Sequence, residues 1–306
     1  MFNYDILSCQ LSPAQDVVLK FLRHLLPIIS SSFTSATTSS IINKVNTDLD
    51  FFLPFRQHAP SLANARREIY ANGVRLAQSN GIGFFNVLAF RGVFFGSPFA
   101  QSNRFRWFES LDDWLQFDEA GKTEAERVGP SKEYYVNTTC YGQSQRERST
   151  NLLPLYWNVR KRWNDIFNKP TKPTVLQVYR WLALSKEGGH SLFRNIGELT
   201  ALLICGDLVE AGIITMPSSQ EMGELISRVQ KGARAGLETF ELVSKGANGN
   251  EVCQAFVSLD AALQHLLQME EKVAMGYNVI MLEHVLCKMK RLTKRGISKE
   301  NFLSDI

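Results

Sequence analysis

The sequence predicts a mainly α protein. A mixed or aromatic-rich N-terminal part over 1–150, with room for a few short strands, precedes an all-helical part over 151–306 that ends in a basic tail. Three observations predict it. Apolar residues recur at helical spacing near the start of the chain and almost throughout beyond Leu152. Capping residues and first-turn prolines stand where those periods begin. Between them, 82–99 is dominated by aromatic and β-branched residues punctuated by glycine, which fits two short strands or one buried helix.

The elements follow in order. Ser12 caps a first helix with Pro13 in its first turn, and Val17, Val18, Phe21, Leu22, Leu25 and Leu26 carry its apolar face to Pro27. The Ser/Thr-rich stretch 30–40 reads as a connector. A second helix is expected over about 61–79, stopped by Asn80-Gly81. Arg91, Asn86 and four glycines in or beside 82–99 argue against a membrane span there. Further on, Pro154 and Pro173 mark helix starts, Ser218 and Glu221 have capping-box spacing, and Asn250 is placed to cap a segment from Glu251. Gly188-Gly189, Gly206, Gly246 and Gly249 read as breaks, and 252–295 as long helices interrupted at Gly276. The cations at 288–299 suit the last turns of a helix that Gly296 caps, and the tail from Gly296 fits equally an arm that docks on another subunit.

With 44% hydrophobic and 21% charged residues, the 306-residue chain has the composition of a folded protein and not of a disordered one. Cys9, Cys140, Cys205, Cys253 and Cys287 form no C-x-x-C pair. Their odd, scattered count suggests reduced thiols in a cytoplasmic or nuclear setting, and the N-terminus lacks the pattern of a secretion signal.

Charge is unevenly distributed although the net is only +4. Residues 51–108 hold seven arginines, no lysine and the single acid Glu68. Residues 109–126 reverse this with seven acids against Lys122, and 134–163 are again basic, five against Glu147. The stretch 216–287 is acidic, nine against five, and 288–306 carries six cations and two acids. Such polarity suits charged partners, including further copies of the same chain.

The strongest candidate site interleaves arginine with aromatics. Arg104, Arg106 and Trp107 form one cluster, Arg160, Lys161, Arg162 and Trp163 a second, and Arg180 beside Trp181 a third. Arg66, Arg67, Arg146 and Arg148 extend the set. Single-stranded nucleic acid needs cations along its phosphates and flat side chains for its bases, and guanidinium serves both needs. The same pattern also fits a structural use, with Tyr156, Val159 and Trp163 facing a core and Arg160 and Lys161 facing water.

Other signatures are thin. There is no G-x-x-x-x-G-K-[ST] loop, no third glycine after Gly81-Ile82-Gly83, no G-x-S-x-G elbow and no H-E-x-x-H. No cofactor or metal site is therefore expected; His284 with Cys287 offers two ligands at most, and Asp48-x-Asp50 is a common chance pattern. Ser191–Ile214 has only the outline of a helix-turn-helix with a break at Gly206. The reading is a non-enzymatic, self-assembling protein of nucleocapsid type that binds single-stranded nucleic acid, RNA favoured. A helical protein-interaction or regulatory module is the alternative, and an enzyme whose site is assembled from distant residues is the third.

Overall fold

The computed structural model describes residues 11–30, 39–78, 80–128, 134–137 and 148–306, and these are mainly α-helical. The chain forms two compact units. The first comprises 1–48, 52–56 and 218–306, and the second comprises 49–51 and 57–217. Residue 150 lies inside the second unit.

In the first unit the Pro13–Ile29 helix starts as its sequence indicates, with Ser12 and Gln15 forming a reciprocal capping box. It runs on through Pro27 to Ile29 instead of ending there. Phe21, Leu22 and Leu25 are fully buried on its inner face. The Ser219–Val229 helix, capped by Ser218 and Glu221, packs Met222, Leu225 and Ile226 beside the Gly249–Leu266 helix and its Val252, Phe256 and Leu259. That second helix is capped by Asn248, two residues before the expected Asn250, because the Asn248 carboxamide accepts from the N–H groups of Asn250 and Glu251. A break at Leu267 precedes the Met269–Met275 helix, and Gly276 ends that one in a left-handed conformation. The Ala233–Thr239 helix lies so close to Val279–Arg295 that a Cβ on Gly236 would collide with the Leu286 carbonyl.

The expected docking arm folds on its own chain instead. In the Lys299–Asp305 helix, Phe302 is fully buried between Phe21 (5.2 Å between ring centroids) and Phe240 (5.1 Å). Lys299 pairs with Glu241 at 2.5 Å, and Ser40 donates to Asp305.

The second unit is built round the segment 82–99, which is helical. The Ile82–Ala89 α-helix continues into a π-helical turn over Phe90–Phe94, and nearly every side chain is buried. A segment apolar all round belongs inside a core, which is why its periodicity could not separate strand from helix. The expected 61–79 helix is two pieces. Pro60–Ala65 continues into a π-turn at Arg66–Tyr70, and Gly73–Gln78 restarts where Asn72 accepts from the Arg75 N–H.

Arg91 emerges from the central helix at 2% exposure and meets Asp207, at 0%, through two hydrogen bonds of 2.5 Å. Tyr70 donates a third to the same carboxylate at 3.0 Å, and the Arg91 guanidinium lies 4.5 Å from the Phe95 ring centroid. The π-turn leaves carbonyls facing inward, and Arg148 closes them by donating to the oxygens of Gly92 (3.1 Å), Arg91 (3.3 Å) and Asn137 (3.3 Å). Asp207 is supplied by a continuous Glu198–Glu210 helix. Gly206 therefore breaks nothing, and the helix-turn-helix outline at 191–214 is absent. Strands occur, among the described residues, only as the short hairpin Lys186–Glu187 with His190–Ser191, turned at Gly188-Gly189.

These buried charges have measurable consequences. Asp207→Ala strands Arg91 in the core and should lower stability by about 3–5 kcal/mol, whereas Arg91→Met with Asp207→Leu should recover much of that loss. Urea unfolding of the native protein and the two variants checks both expectations. In the first unit, burial pushes Glu283 up to about 7, against the opposing pull of Arg56, the Ala233 N–H, Arg291 and Lys288. The folded protein thus keeps a proton that the unfolded chain releases from pH 4.5 upward, so this residue's contribution falls as pH rises to 7 and is constant above. Glu283→Gln should remove that slope, gaining on the order of 3 kcal/mol relative to native between those limits in a denaturation series over pH.

Candidate nucleic-acid interface

Residues 160–194 carry eight cations against Asp165 and Glu187. Both acids are paired with one residue, Arg162, which donates to Glu187 at 2.5 Å and lies 3.7 Å from Asp165. The side chains of Lys161, Lys169, Arg180, Lys186 and Arg194 are exposed and form no ion pair or hydrogen bond among the described residues. Arg160 lies flat over Trp157 at 3.7 Å from the ring centroid and donates to the Trp157 carbonyl at 2.7 Å.

An aromatic cluster joins the elements that carry these cations. Leu153–Val159, a 3-10 turn at Arg160–Arg162 and Trp163–Phe167 follow one another, with Pro154 in the first turn. Trp163 and Phe167 stack face to face, 3.6 Å between centroids and 12° apart. Phe84 of the central helix reaches Trp163 (5.5 Å), Trp181 (5.1 Å) and Phe193 (5.5 Å), and Phe85 reaches Trp157 (5.2 Å). Trp181 sits on the Val175–Leu184 helix, which Thr174 caps, so Pro173 precedes the cap and does not occupy the first turn. The Arg160–Arg162 turn is seated on Gly81, whose φ of +83° and closeness to the Arg160 carbonyl leave no room for a side chain. Trp157, Phe167 and Trp181 keep part of their rings exposed.

Beside the stack opens a groove of about 480 Å³. Val74 and Ala77 form one wall, Ile213 another, and Trp163 and Phe167 a third, with Lys169 and Lys172 at its edge. Lys172 donates to the Gly212 carbonyl at 2.5 Å. No carboxylate lines it.

Compared with protein-family models, with curated proteins and with solved structures, the chain matches none of them. The geometry alone must therefore carry the reading.

The other sequence-derived candidates have local employment. Arg66 donates to Gln57 at 3.0 Å and Arg67 pairs with Glu68 at 2.7 Å. Along 104–107 the side chains alternate, with Phe105 and Trp107 buried and Arg104 and Arg106 half-exposed, and Phe108 is buried as well. Both arginines lie over Phe117, at 5.1 and 5.3 Å, and Arg106 pairs with Asp113 at 2.6 Å. Burial opposes the Asp113 charge, but the hydrogen bonds from Arg106 and the Glu109 N–H, with the Arg106 charge, outweigh it and hold its carboxyl below the ordinary range. Trp107 lies beneath Arg75, 4.3 Å from its ring centroid, and Arg75 pairs with Glu109. Arg148 is buried against the π-turn, Trp163 is inside the aromatic cluster, and Arg146 lies outside the described residues.

Of the predicted set, Arg160, Lys161, Arg162, Trp163 and Arg180 lie on the elements that carry the aromatic cluster. Trp157 and Trp181 stand beside the marked arginines in the sequence pattern, whereas Lys169, Lys172, Lys186, Arg194 and Phe167 were not marked by it. The Lys-Pro-Thr-Lys-Pro run at 169–173 was the available signal. Neither metal candidate gains support. No group of three or more His, Cys, Asp or Glu able to hold a metal occurs among the described residues. Asp50 spends its oxygens on the N–H and hydroxyl of Ser61 and on Gln101. No helix among the described residues is long and apolar enough to cross a membrane.

Proposed function

We propose that this chain is a non-enzymatic protein of nucleocapsid type that binds single-stranded RNA and assembles with copies of itself. The observation that carries the reading is the excess of unpaired cations over 160–194 around part-exposed tryptophan and phenylalanine rings. Phosphates spaced along a strand are met by separated cations, and unstacked bases are met by aromatic surface, without a need for base-specific hydrogen bonds. Arg106 is paired with Asp113, and both Arg104 and Arg106 are half-buried over Phe117, so they contribute less.

Self-assembly is supported by charge polarity. The acidic stretch 216–287 offers a charged surface to basic residues of another copy outside the strand-binding face, and a heterologous contact of this kind builds closed rings or open filaments. Met269 and Val273, 67% and 70% exposed one helical turn apart, add apolar surface to the acidic stretch.

Fluorescence anisotropy of a single-stranded RNA of about 20 nucleotides across a salt series tests the binding. Log affinity should fall linearly with log salt. Replacing Lys161, Lys169 and Arg180 together by Ala should reduce the slope by about 2, since each neutralised phosphate of a single strand adds roughly 0.7 to it. Arg104→Ala with Arg106→Ala should change it far less. No binding at low salt by folded, nucleic-acid-free protein would overturn the proposal.

A further inference from the structure

Resting on the reading above, we infer that the groove between Val74, Ala77, Phe167 and Ile213 takes one base of the bound strand, turned out of its stack, with the adjoining phosphates on Lys169 and Lys172. Several observations converge on this occupant. The groove volume of about 480 Å³ lies within the range of clefts that hold small organic ligands. Its walls are apolar and partly aromatic, which suits the flat face of a base and not a chain of phosphates.

Its edge has the opposite character. Lys169 has no partner among the described residues, and Lys172 uses one of its three N–H donors on the Gly212 carbonyl, leaving two for a phosphate oxygen. No carboxylate lines the groove to repel an anion. A ligand that is flat and apolar in its middle and anionic at its ends is therefore complementary to it, and a nucleotide within a strand has that form. Lys161, in the turn just before Trp163, carries the path of the phosphates onward.

Proximity to the Trp163–Phe167 stack gives the pocket its selectivity for bases over bare phosphate. The parallel rings are already fixed by Phe84 and Trp181, so the wall is formed before ligand arrives and little ordering is required on binding.

The test uses the full chain with AMP, ribose 5-phosphate and a Glu-rich peptide as separate titrants, followed by calorimetry, alongside the RNA of the salt series. AMP should bind about tenfold or more tightly than ribose 5-phosphate, because only AMP offers a base. Ala77→Phe fills the groove from an exposed helix position and should weaken AMP by about tenfold or more, while the salt slope for RNA stays at its native value. Val74→Asp, at a wall position 62% exposed, should do the same by repulsion and serves if the first variant misfolds. Equal binding of AMP and ribose 5-phosphate, AMP binding untouched by either variant, or tighter binding of the peptide than of AMP would overturn the inference. Should RNA bind with its salt slope while AMP does not, the groove assignment fails and the basic face stands. Should AMP bind in a groove-dependent way while RNA does not, the site is a nucleotide pocket and the strand-binding reading fails.

Discussion

A charged pair at the centre of the second unit constrains everything around it. Arg91 is carried on a helix whose other side chains are almost all apolar, so its charge can enter the core only if a carboxylate meets it there. Asp207 does so from a helix that would otherwise be an ordinary apolar span, and Tyr70 adds a hydrogen bond to the carboxylate from a third element. These bonds tie the three elements into one register. That register then sets where Phe84 and Phe85 lie, and these are the rings on which Trp157, Trp163 and Trp181 rest. The basic face is thus held by side chains two turns along the same helix from the buried arginine.

The π-turn at 90–94 has a related consequence. Widening the helix by one residue breaks the ladder, and the Phe95 N–H bonds back to Phe90 at 2.7 Å. The freed carbonyls at 91 and 92 need donors in a dry environment, and Arg148 brings a fork of N–H groups to them. One arginine of the predicted nucleic-acid set is thus consumed by the backbone of the buried turn. Burial of this sort is invisible in a linear pattern, since Arg148 stands in a run that looks exposed and basic.

Much of the local structure was legible. Ser12 with Gln15, Ser218 with Glu221, and Asn80-Gly81 acted as their chemistry indicates, because caps and stops depend on a few neighbouring residues. Legibility failed where distant residues decide. Gly206 sits mid-helix because tertiary burial overrides its weak propensity. On the Leu111–Val128 helix the adjacent apolar residues Trp114 and Leu115 part company, Trp114 buried among Phe94, Phe108 and Tyr135 and Leu115 51% exposed, which hydrophobicity alone does not tell apart. In the candidate site the arginine–aromatic pattern was half informative. Adjacent arginine and aromatic residues along 104–107 alternate between water and core, so their proximity in sequence reports packing. The lysines at 161, 169 and 186 and the arginines at 180 and 194 form no ion pair among the described residues, a property that no spacing rule reads.

A strand bound on the face formed by 157–194, and not on the 104–108 cluster, is the central claim. The most direct measurement is photo-crosslinking of a 4-thiouridine-substituted single-stranded RNA to the full chain, with the crosslinked peptides identified by mass spectrometry. Crosslinks concentrated on peptides containing Trp157, Phe167 and Trp181 are the predicted result. Crosslinks confined to peptides containing Arg104 to Phe108, or to the acidic stretch 216–287, would contradict it.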